Sequence, residues 1–302
     1  MIYTAADLQN LGSTIVAPDF IWEGLIPEKS KMVLLHGPGG SGKSSLIWSL
    51  FNAVEQGKPF LGLNTKATKT LIISTDMSIF ELFLRWRSGF KPSFTMAVQP
   101  PFDLIDPAFV NSKTYTEIKA YVKDNGIGLI GIDTIGKVHA RDGNKEDTVA
   151  EVYNRLQNWF PDITTVGNFH NKKSLRDDKG NAIVTEDDFK GNRKWVDDAV
   201  VQLGMKTVNK SAFHSRLSHY KSQVAALIDP IDIFINSRGE AELWNDNQNM
   251  VAIQQWGSLV ASMPPSTKVK DLIDEYMRRH NVSEATAKRH KSAWTKATQS
   301  TP

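Results

Sequence analysis

The amino-acid sequence predicts an α/β protein: a mostly parallel sheet flanked by helices, extended by antiparallel strands and followed by a small C-terminal helical unit. Three observations predict it. Apolar runs of strand length alternate with stretches of helical spacing from Lys31 to Gly167, the pattern of right-handed crossovers that cover both faces of a parallel sheet. The first of these runs opens into a glycine-rich turn that leads straight into a helix. After about residue 190 closely spaced β-like runs replace the alternation, as in hairpins added to a sheet edge.

Taken in order, Lys31 to His36 is the first core strand, and Gly42 to Glu55 beyond the turn has helical spacing. Leu71 to Ile73 leads into Thr75-Asp76, and Ile79 to Trp86 is the next helix. Tyr115 to Lys123 is a helix ahead of the strand Ile127 to Asp133, and Asp147 to Phe160 is a helix ahead of the strand that begins at Ile163. The later runs are Ala199 to Leu203, Phe213 to Tyr220, Ile231 to Ile235 and Ala241 to Trp244, with turns at Asn209-Lys210 and Arg238-Gly239. Pro264-Pro265 marks a linker, which divides the chain into a domain at 1–260 and a helical segment at 266–302. In that segment Val269, Leu272, Ile273, Tyr276 and Met277 recur at i, i+3, i+4, i+7 and i+8, an amphipathic helix ending near His280.

Composition narrows the function classes. With 302 residues, 40% hydrophobic and 23% charged, the chain can bury one large core plus an appendage and is not mostly disordered. It has no cysteine, which excludes disulfides, thiolate zinc sites and cysteine nucleophiles. The first ten residues lack the pattern of a secretion signal, and no apolar run reaches the length of a membrane span, so the expectation is a cytoplasmic protein with no membrane partner. A net charge of +3 is too small to argue for nucleic acid globally. Local clusters must carry that argument.

The turn after the first strand matches the pattern G-x-x-x-x-G-K-S/T at every fixed position. Gly37, Pro38, Gly39, Gly40, Ser41, Gly42, Lys43, Ser44 and Ser45 are therefore the expected phosphate-binding loop. Its glycines let backbone N–H groups wrap the phosphates of ATP, the helix start adds its dipole, Lys43 reaches the outer phosphates and Ser44 ligates Mg2+. Asp133 ends an apolar strand, where a carboxylate holds the same ion directly or through water. Asp76 also follows an apolar strand and fits either a residue that activates the attacking water or a helix cap ahead of Ile79. His170 would close the strand from Ile163 at the edge where open α/β sheets bind ligands, as a sensor of the terminal phosphate or as a structural histidine. Lys172, Lys173, Arg176 and Lys179 follow in a polar loop, able to grip a nucleic-acid backbone or simply to face water.

With these residues in place the chain resembles the RecA-like ATPases, and more closely the hexameric replicative helicases of plasmids and phages of the RepA type. The resemblance spans roughly Pro18 to Leu243 and includes Trp22 to Pro27, Gly57 to Gly62, Asp76-Met77 with Arg85 and Arg87, Ile132-Asp133, and His170 to Lys173. It implies that the acidic residue after the second strand is the catalytic base, that Asp133 serves magnesium, and that the ATP site is shared between the subunits of a homo-oligomeric ring, a hexamer in that family. Two departures stand out. The family usually has glutamate where Asp76 stands, and the expected trans-acting arginine is not in its usual place; Arg193, Lys194 and Lys221 are the residues available for that role.

The C-terminal segment resembles a helix-turn-helix with a local excess of three positive charges between Lys268 and Ser292. Ala287, His290 and Trp294 fall on one face of its second helix, and Lys288 and Arg289 on the other, free for DNA phosphates. A helical hairpin for subunit contacts would look the same. The expectation drawn from all of this is an ATP-hydrolysing, ring-forming motor on single-stranded DNA, a replicative helicase of a plasmid, phage or integrated element. A recombination or strand-annealing ATPase, and a clock-type regulatory ATPase without DNA, share the same core motifs.

Overall fold

The computed structural model describes residues 4–7, 19–100, 103–170, 192–210, 213–244, 255–264, 266–280 and 284–299. Its strands are β1 (Phe20–Trp22), β2 (Ile26–Pro27), β3 (Met32–Gly37), β4 (Lys69–Ser74), β5 (Thr95–Val98), β6 (Ile127–Asp133), β7 (Thr164–His170), β8 (Val201–Asn209), β9 (His214–Ser222), β10 (Ile231–Ile235) and β11 (Ala241–Leu243). The first two form a short antiparallel ribbon. The others make one sheet in the order β11-β10-β9-β8-β3-β7-β6-β4-β5. From β5 to β8 every pairing is parallel, and from β8 to β11 every pairing is antiparallel. The helices are α1 (Lys43–Gln56), α2 (Ile79–Arg87), α3 (Pro107–Val110), α4 (Lys113–Asp124), α5 (Glu146–Trp159), α6 (Lys194–Asp197), α7 (Val269–His280) and α8 (Glu284–Gln299).

Strand β3 is buried along its whole length, and its alternation divides the core. Val33 and Leu35 pack with Leu46, Leu50, Phe51 and Val54 of α1, whereas Met32 and Leu34 share a cluster with Ile118 and Val122 of α4 and Val149, Val152 and Leu156 of α5. Successive side chains of a strand point to opposite faces, so a strand with a helical layer on each side must be apolar throughout. Glycine sets the closeness of one layer: a Cβ on Gly131 of β6 would lie 2.9 Å from the Phe51 ring of α1.

Several elements lie beyond what periodicity predicts. Strand β5, at the sheet's edge, and the short α3 and α6 were not expected, and β8 and β9 run on through polar residues because each supplies the other's backbone partners. Residues 255–262 are helical. Residues 255–260, grouped above with the first domain, pack with the C-terminal segment: Trp256 and Leu259 share a small core with Ile273, Tyr276 and Ala287. Two amphipathic helices alone would leave that apolar face open. Tyr276 is fully buried there, its hydroxyl 3.0 Å from Gln255 Oε1 and 2.8 Å from His290 Nδ1. Among the described residues no helix is long and apolar enough to cross a membrane.

Gly131→Ala should destabilise the protein by about 1–3 kcal/mol, because the buried Phe51 ring must move to admit the methyl group. Urea unfolding followed by circular dichroism measures it; an unchanged midpoint would show that α1 can shift freely on the sheet.

Candidate active site

Register brings the sequence candidates together. In the parallel part of the sheet Gly37 pairs with His170, Asp133 pairs with Asn168, and Ser74 pairs with Asp133. Four strands thus end side by side at the carboxyl edge, each delivering a polar residue or a loop. The ends are laced by hydrogen bonds: Thr75 N–H donates to Asp133 O at 2.8 Å, and Thr134 Oγ1 donates to Asn168 O at 3.0 Å.

The loop after β3 needs its glycines. Gly40 and Gly42 have φ of +77° and +93°, in the region L side chains avoid, and a Cβ on Gly37 would lie 2.2 Å from the Met205 carbonyl of β8. α1 begins at Lys43 with Gly42 as its N-cap and no side chain capping it, so its first N–H groups are directed to whatever sits in front of them. Ser215 of β9 donates to Ser41 O at 2.9 Å, tying the antiparallel extension to the loop.

Lys43 lies beneath this loop, buried, with Nζ donating to Gly37 O at 2.8 Å and Pro38 O at 2.9 Å. Burial pushes its ammonium down to about 8, with the Asp133 carboxylate opposing the shift. Asp133 is itself buried and accepts a hydrogen bond from Asn168 Nδ2. Asn168 Oδ1 and Ser41 Oγ are buried without a hydrogen-bond partner, which is unusual outside ligand sites.

Around these groups lies a cavity of about 590 Å³, lined among others by Gly40, Ser41, Gly42, Lys43, Ser44, Ser45, Asp76, Asp133 and His170. Gly37 and Pro38 meet it through Lys43 instead, and Gly39 does not line it. Sequence reasoning missed other members of the wall. Asn168 carries a signal in hindsight, a polar residue inside an apolar strand. Arg85 enters the sequence reading only through the family resemblance; its guanidinium stacks over Trp48 at 4.6 Å, and burial lowers its pKa against the opposing charges of Asp133 and Glu81. Thr207, Lys210, Phe213, Ser215 and Ile235 come from the hairpin strands, which no motif announces.

Asp76 is not a helix cap: Ser78 caps α2, accepting from Glu81 N–H in a reciprocal capping box. The Asp76 carboxylate is instead ion-paired with Lys137, four residues beyond Asp133. Both side chains are about half exposed, so the pair is weak, on the order of 0–1 kcal/mol. His170 lies between two cavities, lining the first and also a second of about 390 Å³ with Lys137, His139 and Arg141.

Arg193 and Lys221 do not line the cavity. Arg193 is exposed at the start of α6, its Nε 3.6 Å from Asp197 Oδ1. Lys221 Nζ donates to the carbonyls of Val196 and Asp197, each at 2.8 Å, at the C-terminal end of α6. Lys172, Lys173, Arg176 and Lys179 lie outside the described residues. On α8, Lys288 is exposed and paired with Glu284, and the side chain of Arg289 lies outside the description.

A glycine loop wrapped over a buried lysine and an uncapped helix, at the carboxyl edge of a sheet ordered in this way, defines a nucleotide-binding P-loop ATPase with a RecA-like fold. The chain belongs to the family described as "AAA domain", whose model matches residues 4–175. No curated protein matches it. Among solved structures it is similar to one titled "ATPase Domain of G40P", with a TM-score of 0.57 over 79% of this chain and 96% of that chain, at 10% identity. In all, 368 solved chains match, so the fold by itself selects no particular activity.

Lys43→Met should raise the stability of the nucleotide-free protein at pH 7 by roughly 1–3 kcal/mol, because a desolvated ammonium is removed. Lys43 titrates near 8 folded against 10.5 as its ordinary value. Between those values the unfolded chain holds the extra proton, and the parent gains stability as pH rises. The advantage of the variant should therefore shrink from pH 8 to pH 10. Chemical denaturation at several pH values checks it, and a constant difference would mean that Lys43 is not desolvated.

Proposed function

We propose that the protein is an ATP-hydrolysing, ring-forming motor acting on single-stranded DNA, a replicative helicase of a plasmid, phage or integrated element. The observation that supports it is the convergence of Lys43, Asp76, Asp133 and His170, from the P-loop and three further strand ends, on one cavity. In this reading Lys43 exchanges the carbonyls of Gly37 and Pro38 for phosphate oxygens. Asp76 leaves Lys137 to orient and deprotonate the attacking water, and His170 registers the terminal phosphate. The wall fits magnesium: Ser44 supplies a hydroxyl, Asp133 a carboxylate steadied by Asn168, and the phosphates and water complete an oxygen shell. When bound, the ion neutralises charge developing on the phosphates.

The ring in this reading is the one that the family resemblance implies. Among the described residues the cations that line the cavity are Lys43, Arg85 and Lys210, and in this reading a further one comes from a neighbouring subunit. Of the three candidates Arg193 is the most exposed, with a 3.6 Å ion pair to Asp197, whereas Lys194 pairs with Asp198 at 3.1 Å and Lys221 donates to two carbonyls of its own chain. The DNA grip falls to Lys172, Lys173, Arg176 and Lys179 beside His170, and the three-helix unit offers Lys288 and Arg289 as a second contact. In this reading the sheet domain is the motor and the helical unit that begins at residue 255 its appendage.

Asp76→Asn should bind ATP with unchanged affinity and hydrolyse it about 100-fold more slowly or worse, as expected when a general base is lost; normal turnover in a phosphate-release assay would remove Asp76 from the mechanism. Single-stranded DNA should stimulate hydrolysis, with binding that weakens with salt at a log-log slope near −0.7 for each phosphate neutralised. Arg193→Ala should be inactive alone and regain activity when mixed with excess Lys43→Ala, each supplying what the other lacks. Absence of DNA stimulation together with normal assembly would favour the regulatory ATPase.

A further inference from the structure

The helix α2 presents the most unusual surface of the described chain. Ile79, Phe80, Phe83, Leu84 and Trp86 are between 47% and 75% exposed, and none of the nine residues of the helix is buried. Their spacing, i, i+1, i+4, i+5 and i+7, places them on one continuous face. Leu82 and Arg85 turn the other way, Leu82 against the core and Arg85 onto Trp48. Trp86 also borders a small apolar depression with Trp48, Leu82, Phe90 and Pro92.

We infer that this face of α2 is the surface on which a second copy of the chain packs, beside the nucleotide. This inference rests on the shared-site reading above, and it names the element that makes the contact. Five half-exposed side chains of this size present on the order of 600 Å² of apolar surface. A monomer rarely shows a contiguous patch above a few hundred Å², whereas a stable interface covers ~800 Å² on each partner. The area is thus most of one partner's share. The chemistry argues against nucleic acid, which is held through phosphates by cations, and against a membrane surface, where a helix keeps a polar face rich in lysine and arginine. On α2 the basic residues are Arg85, turned inward, and Arg87. In the three-helix unit Trp256, Leu259, Leu272, Ile273, Tyr276 and Met277 are already gathered in a core of their own.

Position argues for a copy of this chain. Glu81 and Arg85, from the inward side of α2, line the nucleotide cavity, and Asp76 lies three residues before the helix. Whatever covers α2 therefore abuts the cavity mouth, where a neighbour's Arg193 must enter if the site is shared. Contact on α2 also bears on Arg85 through one turn of helix, so assembly and nucleotide occupancy are linked at this element.

The test is sedimentation velocity of the full chain with a non-hydrolysable ATP analogue and magnesium, comparing the parent with Phe80→Asp/Phe83→Asp. The expected result is a parent that assembles, a variant whose assembly is at least tenfold weaker, an analogue affinity within threefold of the parent, and loss of turnover. Hydrogen exchange on the parent gives a reading free of substitutions: residues 79–87 should become protected on assembly. A variant that assembles like the parent, or an assembled parent with 79–87 still unprotected, overturns the surface assignment and leaves the ring standing. A parent that stays a single copy overturns the ring, and this inference with it.

Discussion

Everything at the site depends on the parallel register of β3, β7, β6 and β4. Because Gly37 lies opposite His170, and Asp133 opposite both Asn168 and Ser74, residues separated by more than one hundred positions end within one cavity. A slip of one residue in any of these pairings would turn the strand's side chains to the other face. The apolar layers on both sides forbid that, since β3 alternates between the α1 layer and the α4–α5 layer. The large core therefore does more than stabilise the chain: it sets which polar residues meet.

Charge inside that frame is held under tension that a nucleotide can relieve. Lys43 is desolvated and rests on two loop carbonyls, Arg85 is desolvated against Trp48, and Asn168 and Ser41 each keep a buried oxygen without a partner. Buried polar groups left in this state are costly. On the proposed reading, the phosphates of a nucleotide would accept from Lys43, Arg85 and the Ser41 hydroxyl. The exposed Asp76–Lys137 pair is of a different kind, weak enough to open when a better partner arrives.

Particular residues show how far the sequence carried. The P-loop, Asp133 and His170 were legible because a glycine pattern and strand ends have fixed meanings in an α/β fold. Asp76 was legible as a carboxylate near the sheet's carboxyl edge but not in its bonding, since the cap belongs to Ser78 and the partner is Lys137. Asn168, Arg85 and the hairpin residues Thr207 and Ser215 were not assigned to the site, for they enter it through pairing and packing rather than through local spacing. The helix at 79–87 was read correctly as a helix; that its apolar residues face outward could not be read, because periodicity identifies a face without saying what covers it.

The sequence by itself determined the fold class, the nucleotide loop and the order of the main elements, because each follows from short-range patterns: alternation, glycine tolerance of positive φ and helical spacing. Tertiary structure alone decided three other matters. It placed Trp256 and Leu259 with the C-terminal helices, kept Arg193 and Lys221 out of the lining of their own cavity, and left apolar side chains of α2 exposed beside that cavity. Each of these depends on which distant surfaces come into contact, and a local pattern contains no information about its partner.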